Sequence, residues 1–273
     1  MSQSPLFSDA MTLRALGDGA YAAELNEHWT IGRKLHGGAM LSLCAAAARE
    51  ALGGQVQPVA VSANYLSAPS PGELRMETFV RKRGRTVSVV DVELIGGDRT
   101  GVHAVVTLGE PEHRAEPLLS ANPVVALMDP EPPLDVESIG PGHPMHGTVN
   151  YWTGCDIRPL MSTVPDGPSG SGTATPPVIQ YWARPRDMAP DVLFALMCGD
   201  ISVPVAFAVG RRGWAPTVQL TAYLRGVPAD GWLRVMSTTT EIGQDWFDED
   251  ATVVDSSGRI IVQSRQLALV PDH

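Results

Sequence analysis

Between His36 and Leu52 the chain reads His-Gly-Gly-Ala-Met-Leu-Ser-Leu-Cys-Ala-Ala-Ala-Ala-Arg-Glu-Ala-Leu, and no other stretch constrains the fold as strongly. From Ala39 onward nearly every residue is a good helix former, and charge enters only at Arg49 and Glu50. A helix that is apolar all round must be buried on every side, so the rest of the chain has to wrap it. Its many small residues let other backbone come close. Gly37 and Gly38 at its mouth open the first N–H groups to a ligand, and the helix dipole there favours negative charge. Two readings follow: a catalytic centre built on an anion pocket, or a core helix with a flexible entry.

Period-two patterns surround this helix. Met11–Leu16 and Ala20–Leu25 are strand candidates on either side of the turn signal Gly17-Asp18-Gly19. After Gly53-Gly54 come four more, at Pro58–Ser67, Leu74–Arg81, Thr86–Ile95 and Gly101–Leu108. Prolines, acids and glycines dominate residues 113–145, which read as a linker wrapping the surface; His143 within it and His146 just after it are expected to face solvent. Tyr151–Leu160 and Pro177–Arg184 are further strand candidates, separated by a Gly/Ser-rich stretch, Gly167–Thr175, that reads as a mobile loop. Asp191–Val209 is helix-like but carries Pro204, which interrupts a helix. Four strands follow, at Thr217–Arg225, Gly231–Glu241, Asp245–Asp255 and Arg259–Val270.

The second half repeats the first. Tyr65-Leu66 matches Tyr223-Leu224 at an offset of 158, Gly72-Glu-Leu74 matches Gly231-Trp-Leu233 at 159, and Gly101 matches Gly258 at 157. Three landmarks at nearly one offset indicate an internal duplication, with units at 1–112 and 146–273 joined by the linker.

With 44% apolar and 18% charged residues, the chain can bury a substantial core. A formal net charge of −10 argues against nucleic acid, which needs a basic footprint. No apolar run reaches the roughly 18 residues of a membrane span. The N-terminus lacks the basic start and apolar core of a signal peptide. Cys44, Cys155 and Cys198 show no metal-ligand spacing and read as reduced structural thiols of a cytoplasmic protein. There is no Gly-x-Ser-x-Gly elbow, no Walker loop and no metal cluster.

A long helix wrapped by antiparallel strands, with His-Gly-Gly at its mouth, resembles the hotdog fold, and two such units resemble the double-hotdog, TesB-like acyl-CoA thioesterases. The run Asp255-Ser-Ser-Gly-Arg-Ile-Ile-Val-Gln-Ser-Arg-Gln-Leu-Ala-Leu269 carries the likeness most specifically, with Trp214-Ala-Pro-Thr-Val-Gln-Leu-Thr and Gly231-Trp-Leu-Arg-Val. The resemblance implies an α+β fold in which one long sheet encloses both helices, acyl-CoA as substrate, coenzyme A as part of that substrate with no separate cofactor or metal, and a homo-oligomer.

Thioester hydrolysis needs an oxyanion pocket, a base or nucleophile and a means of holding water. His36-Gly37-Gly38 is the candidate pocket. The single-hotdog thioesterases that share this motif carry an aspartate further along the same helix, and Ala45 holds that place here. The second helix lacks His-Gly-Gly but carries Asp200, in Met197-Cys-Gly-Asp-Ile-Ser. In single-hotdog dimers the glycine and the carboxylate come from opposite units, so one composite site is expected, with its mirror lost. TesB-type enzymes orient water with an Asp, a Thr and a Gln. By alignment on Tyr223 and the last strand these positions fall on Gln219, Thr239 and Gln266, with Thr217 as a second water-orienting candidate. An amide at Gln219 cannot take a proton, which leaves Asp200 as the base. It also keeps a second expectation open, a weakly catalytic or non-catalytic acyl-CoA or acyl-pantetheine binding protein.

Overall fold

The computed structural model describes residues 4–112, 115–167 and 176–271. The Gly/Ser-rich stretch from residue 168 to 175 lies outside them. The first half opens with a one-turn helix α1 (Phe7–Ala10) and the hairpin β1 (Arg14–Gly17) and β2 (Ala20–Leu25). The turn Gly17-Asp18-Gly19 has positive φ at all three residues, which explains the glycines. A small hairpin, β3 (Thr30–Ile31) and β4 (Lys34–Leu35), leads into α2 (Gly37–Ala51). Strands β5 (Gln57–Tyr65), β6 (Gly72–Lys82), β7 (Ser88–Gly96) and β8 (Arg99–Gly109) follow. The basic tip between β6 and β7 faces solvent, with Arg81 paired to Asp91.

A short helix α3 (Val124–Leu127) punctuates the linker. The second half then repeats the first: hairpin β9 (Cys155–Pro159) and β10 (Val178–Pro185), helix α4 (Val192–Cys198), and β11 (Thr217–Leu224), β12 (Leu233–Thr238), β13 (Trp246–Val254) and β14 (Ile260–Leu269). The expected second helix is much shorter than Asp191–Val209. It stops at Gly199, and the β-branched residues and Pro204 beyond give irregular backbone and a 3₁₀ turn at Val205–Val209.

All twelve long strands form one antiparallel sheet in the order β1-β2-β6-β7-β8-β5-β11-β14-β13-β12-β10-β9. The two halves of that order mirror each other, so the duplication is visible in topology, and the halves meet at the β5–β11 pair, from Gln219↔Asn64 to Tyr223↔Ala60. This is the double-hotdog arrangement. Every residue of α2 from Gly38 to Ala48 and every residue of α4 is buried, as the all-round apolar pattern requires. The two helices approach closely: a Cβ on Gly38 would lie 2.6 Å from the Met197 carbonyl oxygen, and the Ser42 hydroxyl donates to the Leu193 carbonyl at 2.8 Å. Cys44, Cys155 and Cys198 are free thiols buried in this core.

Two expectations need correction. Tyr65 and Tyr223 are not equivalent. Val61 and Ala63 face inward, and so do Leu220 and Ala222, which makes Leu224 the counterpart of Tyr65. Tyr223 stands half-exposed on the outer face, because side chains alternate and a one-residue slip reverses the face. The linker also does more than cross the surface. Val124, Met128 and Val136 form a second small core with Trp182, Trp232, Met236 and Val254. Arg234 donates to the Met128 carbonyl and Trp182 to that of Asp129. His143, expected to face solvent, is buried, accepting at Nδ1 from the Met145 N–H.

Candidate active site

The mouth of α2 faces the end of α4. His36 is the N-cap: its Nδ1 accepts from the Ala39 N–H at 3.2 Å, so Nε2 carries the proton and donates to the Asp200 carbonyl at 2.9 Å. Burial lowers the imidazole pKa to about 4, against that hydrogen bond, so the ring is neutral. It packs on Tyr151 with centroids 4.7 Å apart. Both ring nitrogens serve backbone groups, and His36 therefore positions rather than reacts.

Asp200 turns its carboxylate onto the glycine mouth. A Cβ on Gly37 would lie 2.6 Å from Asp200 Oδ2 and 3.3 Å from the Tyr65 ring. The Gly38 N–H donates to the carboxylate. Two glycines are therefore needed for close approach of a side chain from the other half. Burial raises the Asp200 pKa to about 7, and the Gly38 bond opposes this. Gly38 lies behind the carboxylate, whereas Gly37 lines the cavity.

That cavity has a volume of about 990 Å³ and draws on both halves: His36, Gly37 and Tyr65 from the first, Asp200, Thr217, Glu249 and Gln266 from the second. Much of its wall is apolar, including Met40, Leu66, Met161, Val164, Phe207 and Leu269. The Ser264 hydroxyl donates to the Gly199 carbonyl at 2.6 Å and fixes the residue next to Asp200 against β14. Gln266 is the next inward position on that strand. Its Oε1 accepts from the Thr217 hydroxyl at 2.5 Å, which leaves the amide nitrogen to donate.

Gln219 and Thr239 are not part of this site. Gln219 lies on the outer face, where it lines a shallow groove and donates to Thr221 Oγ1 at 2.8 Å and Ser62 Oγ at 3.2 Å. A bulge between Thr217 and Gln219 puts an extra residue between them, so Thr217 faces in and Gln219 out. Thr239 bonds the Glu241 carbonyl in the β12–β13 loop and is not among the residues lining the cavity. Glu249 was not expected from sequence. It is an acid on the inward face of β13, with Phe247, Ala251 and Val253.

The opposite mouth does not open on this cavity, which none of the residues from Asp191 to Phe194 lines. Asp191 caps α4 through the Phe194 N–H at 2.8 Å, and Ser42 occupies the Leu193 carbonyl. Among the described residues no group of three His, Cys, Asp or Glu side chains is placed to hold a metal ion, and no helix is long and apolar enough to cross a membrane.

Comparison with known proteins agrees with this architecture. The model of the acyl-CoA thioesterase N-terminal domain matches residues 25–109, and that of the C-terminal domain matches residues 130–270. The uncharacterized protein Rv0499 of Mycobacterium tuberculosis is 61% identical over 290 residues, covering 97% of this chain and 98% of its own. A Thermobifida fusca crystal structure, assigned by name as a thioesterase II, superposes with a TM-score of 0.82 at 27% identity, over 98% of this chain and 99% of that one. An Alicyclobacillus acidocaldarius protein with the hot dog fold gives 0.79 at 17% identity, over 98% of each chain. Both halves of the sequence match the two domains in their proper order, and the chain belongs to the acyl-CoA thioesterase family.

Proposed function

We propose that the protein hydrolyses a fatty or related acyl-CoA thioester to the free acid and coenzyme A. The observation that carries this reading is the Asp200 carboxyl of one half seated on the glycine mouth of the other, at the wall of a largely apolar cavity. With its pKa near 7, Asp200 is suited to take a proton near neutrality. Thr217 and Gln266 hold a water in reach of it. As Asp200 accepts the water's proton, the oxygen bonds to the thioester carbon and the carbonyl oxygen becomes an oxyanion. Gly37, at the open positive end of α2, supplies the N–H that holds this charge. Collapse re-forms the carbonyl and breaks the carbon–sulfur bond, and the leaving thiolate takes the proton from Asp200. The apolar wall receives the acyl chain.

Two rivals are weaker. The non-catalytic reading rested on Gln219 standing where the family has its acid, and Gln219 lies outside the cavity. A dehydratase needs a free Asp–His pair, and both His36 nitrogens are engaged by backbone. The test is free-thiol release from acyl-CoAs ranging from acetyl to palmitoyl. Absence of turnover with every member would overturn the proposal.

A further inference from the structure

The reaction as written leaves one buried carboxyl unused. Glu249 is 3% exposed, lines the same cavity as Asp200 and sits directly across the strand pair from Gln266. The Ser202 hydroxyl donates to its Oε1, and the Val205 N–H donates to its Oε2 at 3.4 Å.

These contacts belong to a larger pattern. The segment from Asp200 to Val205 leaves α4 without regular structure until the 3₁₀ turn begins at Val205, and side chains from four other elements hold it. His36 holds the Asp200 carbonyl, the Tyr151 hydroxyl donates to the Ile201 carbonyl at 3.3 Å, and the Tyr181 hydroxyl accepts from the Val203 N–H at 2.9 Å. Glu249 takes two of the six residues. Irregular backbone bearing a functional side chain is as well placed as its anchors allow.

We propose that Glu249 is a positioning residue for the hydrolysis, fixing the Asp200 segment through Ser202 and Val205 and acting as the second carboxyl of one catalytic cavity. This rests on the thioesterase reading above. Two carboxyls facing one largely apolar cavity resist ionising together, and the reaction adds an oxyanion to that cavity. The working state is therefore singly ionised, with the proton kept on Glu249 while Asp200 is free. The surroundings favour that order. Asp200 lies at the positive end of α2, where the Gly38 N–H favours its ionised form. Burial raises Glu249 to about 8 against the hydrogen bond from the Val205 N–H, with the Asp200 charge adding to the rise. The titratable groups that act on it are Asp200 and, on its own strand, Asp250; the Tyr181 phenol feels its charge in turn. Arg212, the one arginine or lysine among the described lining residues, pairs with Asp166.

The test is the pH profile of kcat and kcat/KM for the full chain and for Glu249→Gln and Glu249→Leu, from about pH 6 to about pH 10. The wild type should rise through about pH 7 and fall above about pH 8. Glu249→Gln, neutral at all pH and still able to accept a hydrogen bond, should stay within about threefold at neutrality and lose the alkaline fall. Glu249→Leu should lose about 100-fold in kcat with a much smaller change in KM. An alkaline fall kept by Glu249→Gln, or wild-type kcat in Glu249→Leu, overturns the proposal. If Glu249→Leu does not fold, the Gln profile decides alone. Loss of turnover in Asp200→Asn beside unaffected Glu249 variants would sink only this inference, whereas a wild type inactive on every acyl-CoA would sink the thioesterase reading and this inference with it.

Discussion

Asp200→Asn should make the protein more stable while disabling it, and by an amount that depends on pH. Burial moves the carboxyl from 3.8 to about 7, so the folded protein holds a proton that the unfolded chain releases. At 1.36 kcal/mol for each tenfold change, that displacement corresponds to about 4 kcal/mol. Asp200 faces a cavity rather than closed core, and solvent there offsets roughly half, leaving about 2 kcal/mol. The sign follows from the raised value. Below about pH 4 both states are protonated and the group costs nothing. Between about 4 and 7 the unfolded chain ionises first, and stability falls as pH rises. Above about 7 the penalty is constant. Asparagine has no such penalty and still accepts the Gly38 hydrogen bond. Thermal melts from about pH 4.5 to about pH 8.5 should therefore diverge, the variant gaining roughly 4–8 °C at the alkaline end and little at the acid end. Turnover should drop on the order of 10²–10⁴-fold. A variant no more stable than wild type at pH 8, or a difference independent of pH, would refute a desolvated Asp200. Undiminished turnover would refute its role as base.

The remaining expectations concern the groups around it. Gly37→Ala puts a methyl 2.6 Å from Asp200 Oδ2 and should cut kcat at least tenfold with little change in Tm; Gly38→Val instead strikes the Met197 backbone and should lose the fold, seen as a collapsed melting transition. Gln266→Leu should reduce kcat about 10–100-fold, while Gln219→Leu, on the outer face, should stay within about threefold in the same steady-state assay. His36→Ala removes the helix cap and the anchor of the Asp200 carbonyl, and should cost about 1–2 kcal/mol in urea unfolding as well as turnover.

The fold was legible because its governing pattern is local. An apolar run with charge only at Arg49 and Glu50 states the burial of α2 without reference to the rest of the chain, and strand periods and turn glycines give the duplicated units around it. The pairing of Asp200 with the glycine mouth was legible from an asymmetry, since each half carries what the other lacks. What the mouth holds was not, because the Gly38 N–H read as an oxyanion donor meets the Asp200 carboxylate. Gln219 and Thr239 were misplaced for a reason sequence spacing hides: the bulge before Gln219 reverses its face, and counting from Tyr223 carried the error onward. Glu249 was obscured by neighbouring acids at Asp245, Asp248 and Asp250. Only strict alternation with Phe247, Ala251 and Val253 marks it as inward.

The absence of the second mouth from the cavity wall has a consequence for stoichiometry. In a dimer of identical units every substitution strikes both helix mouths, so neither can change its role without the other. Here the two mouths are encoded separately, and only the first presents a glycine, Gly37, to the cavity. A ligand that needs the glycine mouth should therefore saturate at one equivalent per chain, where a symmetric pair of the same size would take two.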